Sequence, residues 1–199
     1  MTDALTLIYA LPSPFVRKAV IVAAEAGIML DRKDTTASPI ATNPDLEKIN
    51  PLGKVPALIL ASGDVLYDSP VICRYLGNGT PLYPTGAAGW QALRREALAD
   101  GLLDAALLLR YETTLRPEAL RWADWIEGQM AKIHQALGVM AQETGTVSGF
   151  DIGDVATGCA LGYLDFRYPD LDWRSRHPAL AIYAETLFGR TSFIESAPA

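Results

Sequence analysis

Cysteine and histidine are scarce: the chain holds two cysteines, Cys73 and Cys159, and two histidines, His134 and His177. No CxxC pair occurs, so a four-ligand zinc site would need all four residues to converge from distant segments, and no metal is expected. Each cysteine sits in an apolar helical context (Val71-Ile72-Cys73 and Thr157-Gly158-Cys159-Ala160), which reads as a buried, inert thiol. Long apolar runs are missing as well. The stretch Ala19–Ala24 spans about six residues against the ~20 that cross a bilayer, so no membrane association is expected. No run of Lys or Arg exceeds a pair (Arg17-Lys18, Arg32-Lys33, Arg94-Arg95), and 17 basic against 23 acidic side chains leave a net charge of -6. A nucleic-acid binder needs a basic stripe that tracks phosphates, so that class is disfavoured. Met1-Thr2-Asp3-Ala4 has no positive n-region, no secretory signal is visible, and the cytoplasm is the expected address. The P-loop, HExxH and GxSxG patterns are absent too.

What is present is a chain able to fold around a core. Of its 199 residues 50% are hydrophobic and 20% charged, which excludes disorder as the main state. At ~100–200 residues per domain, this is one large domain or two small ones. Composition changes near residue 80. Before it, β-type and helical runs alternate: Leu5–Tyr9 is β-rich, Ser13-Pro14 opens a helix to about Ala26-Gly27, and Leu30–Thr35 reads as a polar strand. A short helix or turn at Asp45–Ile49 follows, then a hairpin of Pro56–Ala61 and Val65–Tyr67, then a helix from Ser69-Pro70 to Leu76-Gly77. The Gly- and Pro-rich stretch after Asn78 reads as a linker. Beyond it lie helical patterns over about 89–113, 117–142, 152–167 and 178–188, with a loop at Thr144–Gly149. The expected fold class is α/β plus all-α. The domains are residues 1–78 and 89–199, joined by 79–88.

Ser13-Pro14 and Ser69-Pro70 look like one device used twice. Proline is favoured at the first helical position, and serine before it is a preferred N-cap worth about 1 kcal/mol. Both serines are therefore readable as caps alone. The same geometry also serves a ligand, because a helix N-terminus offers free N–H donors and partial positive charge to an anion. A capping hydroxyl accepts through oxygen and keeps a hydrogen to donate.

Three blocks carry a resemblance: Tyr9-Ala-Leu-Pro-Ser13-Pro-Phe-Val-Arg-Lys18, Asn50-Pro-Leu-Gly-Lys-Val-Pro56, and Tyr67-Asp-Ser-Pro-Val-Ile-Cys-Arg-Tyr-Leu76. In order and spacing they resemble the cytosolic glutathione S-transferase superfamily. With Glu96-Ala-Leu-Ala-Asp-Gly101 and Gly162-Tyr-Leu-Asp-Phe-Arg167, the chain is most similar to its bacterial YibF-like group. The resemblance implies a thioredoxin-like N-terminal domain, a helical C-terminal domain, glutathione as co-substrate and a homodimer. It gives Ser13 the hydroxyl that faces the glutathione sulfur. Pro56 matches a cis-proline, and Val55 before it would pair its backbone with the cysteinyl part of the tripeptide. Asp68-Ser69 matches the acidic-Ser pair that holds the γ-glutamyl group, with the family's usual Glu shortened to Asp. Phe15 joins the glutathione-binding set. Lys33 and Lys54 reach the glycyl carboxylate or are ordinary solvated lysines. Tyr9 is the rival activator, with strand packing as its alternative role. Arg17 raises the local potential or pairs with a surface acid.

In the helical domain, Phe150-Asp151-Ile-Gly-Asp154-Val155 matches the family's capping box and hydrophobic staple, so its acids are structural. The small hydrophobic electrophile is expected between the domains, under Leu11 and Phe15 and against a helical face with Leu103, Leu107, Arg110 and Tyr111. Serine in place of cysteine at position 13 disfavours thiol–disulfide chemistry. Three functions remain open on these residues. They are transfer of glutathione to an electrophile, a ligand-binding module of the same fold, and a glutathione-dependent isomerase or dehalogenase.

Overall fold

A computed structural model describes residues 5–145 and 149–198. Met1–Ala4 and the centre of the Thr144–Gly149 loop lie outside the described residues. The chain divides into two compact units, one of residues 5–89 together with 191–198, the other of residues 90–190.

The first unit opens with strand β1 (Thr6–Tyr9) and helix α1 (Pro14–Glu25). Ser13 caps α1, its Oγ accepting from the Val16 N–H at 3.3 Å. At the other end Gly27 takes φ +68°, and the Ile28 N–H returns to the Ala23 carbonyl at 2.8 Å, a Schellman closure that only a residue at ease with positive φ allows. Strand β2 (Asp31–Asp34), helix α2 (Pro44–Ile49), strands β3 (Ala57–Ile59) and β4 (Val65–Leu66) and helix α3 (Ser69–Leu76) complete the pattern. The four strands lie in the order β2-β1-β3-β4; β2 runs parallel to β1, and β3 and β4 pair antiparallel. Ile8, Leu46 and Ala57 form a buried cluster under α2, with Ile49, Val55, Ile59 and Val65 packed around it. Strand alternation sends Leu7 and Leu58 to the other face, where both are fully buried.

The second unit is helical: α4 (Gly86–Thr114, beginning in the first unit), α5 (Ala123–Glu143), α6 (Ile152–Arg167), α7 (Trp173–Arg176) and α8 (Pro178–Phe188). Every residue of α6 from Ile152 to Leu164 is buried. The helix expected from residue 117 begins at Ala123 instead, after a short 3-10 turn at Glu118–Leu120. The reason is tertiary: the Glu112 carboxylate on α4 accepts from the Trp122 N–H at 2.9 Å and from Arg116 Nε at 2.7 Å, which holds the connection back against α4.

Two short helices have no counterpart in the sequence reading. One is α7; the other is α9 (Thr191–Glu195), which packs on α1 in the first unit although the helical domain was expected to run to 199. Arg17 accounts for that placement. It is buried, its Nη2 donating to the Phe193 carbonyl at 3.1 Å and its Nε to Ser196 Oγ at 3.4 Å. The Ser192 hydroxyl adds a bond to Glu25 at 2.6 Å.

The acids before α6 are structural, as the resemblance implied. Asp151 accepts from the Gly153 N–H at 2.7 Å, and Asp154 accepts from the Asp151 N–H at 2.8 Å. Both carboxylates also hold Arg95, at 2.6 and 2.7 Å, and the Tyr183 hydroxyl donates to Asp154. Burial alone would lower the Arg95 guanidinium; the bond to Asp154 and the charges of Asp154 and Asp151 outweigh it and raise it. Phe150, expected to staple onto Val155, lies half-buried with the Arg190 guanidinium 3.7 Å from its ring centroid. Removing one member of a buried ion cluster strands the others, at a cost of about 3 kcal/mol or more. Asp154→Ala is expected to lower Tm by roughly 6–12 °C at ~2–4 °C per kcal/mol for a chain of this size, measured by circular-dichroism melting.

Candidate functional site

Strand register gathers the sequence-predicted residues of the first unit. Ile8 lies opposite Ala57 and Leu58 opposite Leu66, so the end of β1, the start of β3 and the end of β4 all come to one edge of the sheet. The segments running on from that edge carry Ser13, Val55-Pro56 and Asp68-Ser69. Tyr9, the last residue of β1, is half-buried and pairs in register with Asp34, and its carbonyl accepts from the Thr35 N–H at 2.9 Å. Strand pairing is thus the role the structure gives its backbone.

Ser13 is half-buried. Its Oγ accepts the Val16 N–H, and among the described residues no protein group accepts its O–H. The Val55–Pro56 bond is cis, as the resemblance implied; so is Tyr67–Asp68, which it did not. Pro56 is buried and Val55 half-buried. Val55 lies outside the β-ladder, and no described protein group pairs with its backbone N–H or carbonyl.

Asn50 shapes the approach to Val55, a role that sequence reasoning missed although the residue heads one of the three quoted blocks. It is only 1% exposed. Its Nδ2 donates to the Lys54 carbonyl at 2.8 Å, and its Oδ1 accepts from the Leu52 N–H at 3.1 Å. Gly53 closes the turn at φ +61°, donating to the Asn50 carbonyl at 2.8 Å. One buried amide therefore braces the loop on both sides.

The second serine does not repeat the first. The N-cap of α3 is Asp68, and Ser69 is the first helical residue. The first helical hydrogen bond explains the shift: it runs from the Ile72 N–H to the Asp68 carbonyl, whereas in α1 it runs from Arg17 to Ser13. Ser69 is buried, and Asp68 is exposed and makes no side-chain cap bond, so the first turn of α3 keeps unfilled N–H donors. Lys33, in register with Ile8, and Lys54 are exposed. Leu11 is exposed and Phe15 half-buried.

In the second unit Leu107, Arg110 and Tyr111 are half-buried on α4, whereas Leu103 is fully buried and belongs to the core. Tyr163 and Arg167 of α6 join this group. Burial raises the Tyr111 and Tyr163 hydroxyls, and burial together with the charge of Arg110 lowers Arg167. Tyr168, pushed up to about 12 by burial, donates its hydroxyl to the Ala106 carbonyl at 2.6 Å. Both cysteines are buried, and neither is in a disulfide.

The glutathione S-transferase N-terminal domain model matches residues 12–78, and the C-terminal domain model matches residues 123–185. The chain belongs to the glutathione S-transferase family. It is similar to the uncharacterized GST-like protein YibF of Escherichia coli K12, 35% identical over 94% of this chain and 95% of that protein. It is also similar to a glutathione transferase family member from Pseudomonas fluorescens Pf-5 with bound glutathione, 43% identical, with a TM-score of 0.94 over 98% of this chain and all of that one. A second structure of a Pseudomonas fluorescens family member, with bound S-(propanoic acid)-glutathione, is 42% identical, with a TM-score of 0.91 over 98% of this chain and 100% of that one. The family fold is therefore the one described above: a thioredoxin-like α/β part followed by transferase-type helices.

For this transferase-family chain, loss of the Asn50 amide leaves a part-buried carbonyl and N–H without their side-chain partner. Asn50→Ala is expected to cost about 1–3 kcal/mol in denaturant unfolding. Faster amide exchange centred on residues 50–55 would identify the loop as the place affected.

Proposed function

We propose that this chain is a glutathione transferase in which the Ser13 hydroxyl donates to the glutathione sulfur and holds it as the thiolate. The observation that carries the reading is the state of Ser13: a helix N-cap whose oxygen is engaged and whose hydrogen is not. The energetic demand is modest. Lowering a thiol from ~8.5 to about 6.5 takes about 2.7 kcal/mol at 1.36 per unit. A hydrogen bond to a charged acceptor supplies ~1.5–3 kcal/mol, and the helix terminus a further ~0.3–1. No metal and no histidine base is required.

The rest of the first unit supplies the grip. Val55, ahead of Pro56, offers its backbone N–H and carbonyl to the cysteinyl residue of the tripeptide. Asp68 takes the γ-glutamyl ammonium, while the Ser69 hydroxyl and the open first turn of α3 take its carboxylate. Lys33 and Lys54 attract the glycyl carboxylate, and Phe15 joins the glutathione-binding set. Bound glutathione in the Pseudomonas fluorescens relative supports the ligand. The S-(propanoic acid)-glutathione complex supports a substituent on sulfur. The electrophile is small and hydrophobic, and the α4 face that carries Leu107, Arg110 and Tyr111 takes it. Sulfur attacks its carbon directly, and proximity supplies much of the rate. The working form is a cytoplasmic homodimer.

Retention on immobilised glutathione followed by turnover of chlorodinitrobenzene tests the reading, and failure in both would leave a ligand-binding module. Ser13→Ala is expected to lower kcat about 10- to 100-fold while glutathione Kd changes less than threefold. Ultraviolet titration of the bound thiol should show its pKa returning toward ~8.5. Equal losses in kcat and affinity would reduce Ser13 to a helix cap. Tyr9→Phe is expected to leave kcat within twofold.

A further inference from the structure

Two arginines of the second unit lack the carboxylate that a half-buried guanidinium ordinarily holds. Arg110 lies on α4, and Arg167 is the last residue of α6. The bond from the Tyr168 hydroxyl to the Ala106 carbonyl fixes the end of α6 beside the turn of α4 that precedes Arg110. The two cations are near enough for Arg110 to disfavour the charge on Arg167, and both act on Tyr163. Among the described residues neither is in an ion pair, and Arg167 Nε is buried without a hydrogen-bond partner.

The acids that flank them in sequence are committed elsewhere. Glu112, two residues after Arg110, holds Arg116 and the Trp122 N–H. Asp165, two residues before Arg167, accepts from Arg174 at 2.7 Å and from Trp173 Nε1 at 2.9 Å. Arg167 does lie 3.9 Å from the centroid of the Phe166 ring, bonds the Tyr163 hydroxyl and ends a helix, where a cation is favoured. Those features account for a single charge. They do not offset two like charges partly withdrawn from water within electrostatic reach of each other, one with a buried Nε that has no partner. An anion placed between them would remove the repulsion and fill the donor, with the protonated hydroxyls of Tyr111 and Tyr163 as further donors.

We propose that Arg110 and Arg167 form an anion subsite that selects electrophiles carrying a carboxylate. This rests on the reading above, in which the Arg110 face of α4 takes the electrophile, and it adds one anionic group to a small hydrophobic co-substrate. With a chloroarene the glutathione sulfur forms the new C–S bond and chloride leaves with the bonding electron pair. The carboxylate takes no part in bond making and serves to place the ring. Arg167 is thus a specificity residue that acts by binding.

The test compares matched ligands in the wild type, Arg110→Gln and Arg167→Gln. S-carboxymethylglutathione should bind the wild type about tenfold or more tighter than S-ethylglutathione by calorimetry, the least that one charge-assisted hydrogen bond of ~1.5 kcal/mol supplies at 1.4 per decade. Each variant should lose that preference, and Arg167→Lys should restore part of it. The kcat/KM ratio of a chloronitrobenzoate to its methyl ester should fall about tenfold in both variants. Equal binding of the two adducts by the wild type, or a preference that survives in both variants, overturns the subsite. Glutathione affinity reports whether each variant is folded; the two substitutions lie on different helices, so either one suffices. An adduct preference without any turnover would uphold the subsite and sink the transferase reading. If neither adduct binds, the glutathione reading fails, and titration with benzoate alone decides the subsite: binding lost in both variants upholds it, no binding overturns it.

Discussion

Pairing of Ile8 with Ala57 is the constraint on which the first unit turns. Because β3 runs antiparallel to both β1 and β4, its first residue stands beside the last residues of its neighbours. Three segments remote in sequence therefore leave the sheet at one edge. A slip of a single residue would turn Ile8 and Ala57 away from Leu46 and expose the cluster they form, so the hydrophobic face that stabilises the sheet also fixes where the polar segments emerge. Packing and site geometry are here one requirement, and a variant that loosens the first would be read in the second.

The two helix starts at that edge are unequal, and the inequality has chemical meaning. At α1 the serine is the cap, so its oxygen is satisfied from within and only its hydrogen is offered. At α3 the serine lies one position further in and the cap residue makes no side-chain bond, so backbone donors are offered as well. The first arrangement suits a single electron-rich atom such as a sulfur anion. The second suits a carboxylate, which has several lone pairs to satisfy. One dipeptide, Ser-Pro, thus yields two different acceptor sites because the first helical hydrogen bond starts at a different residue.

Much of the fold was legible because local signals agreed. Prolines opened α1 and α3, Gly27 closed α1, and two short β-type runs marked the β3–β4 hairpin. Where reading along the chain went astray, the deciding partner was distant. The start of α5 is set by Glu112 on the preceding helix, and α9 by Arg17 some 170 positions away, as the bond from Arg17 to Phe193 shows. Periodicity carries no trace of either. The site was legible in part for the same reason. Ser13 announced itself through its proline, while Asn50 and Arg95 act through buried bonds to loops that no local pattern identifies as theirs. Arg167 was visible as one residue of a motif, yet its distinction is a buried Nε with no partner among the described residues, which cannot be read from sequence.

The charge of the chain puts a last condition on how ligands are held. Glutathione carries two carboxylates and one ammonium, and its thiolate adds a further negative charge, whereas the protein has a net charge of -6. Long-range attraction is therefore unavailable. At physiological ionic strength, however, exposed charges separated by more than ~8 Å are largely screened, so the local groups outweigh the total. Those local groups are cationic or donors: two helix N-termini, Lys33 and Lys54 in the first unit, and Arg110 with Arg167 in the second. The acids that flank the arginines in sequence, Glu112 and Asp165, are bound instead to Arg116 and Arg174. An acidic protein can thus leave cations and donors available by committing its own carboxylates to other cations, and the distribution of its ion pairs then matters more than their number for the anion binding proposed above.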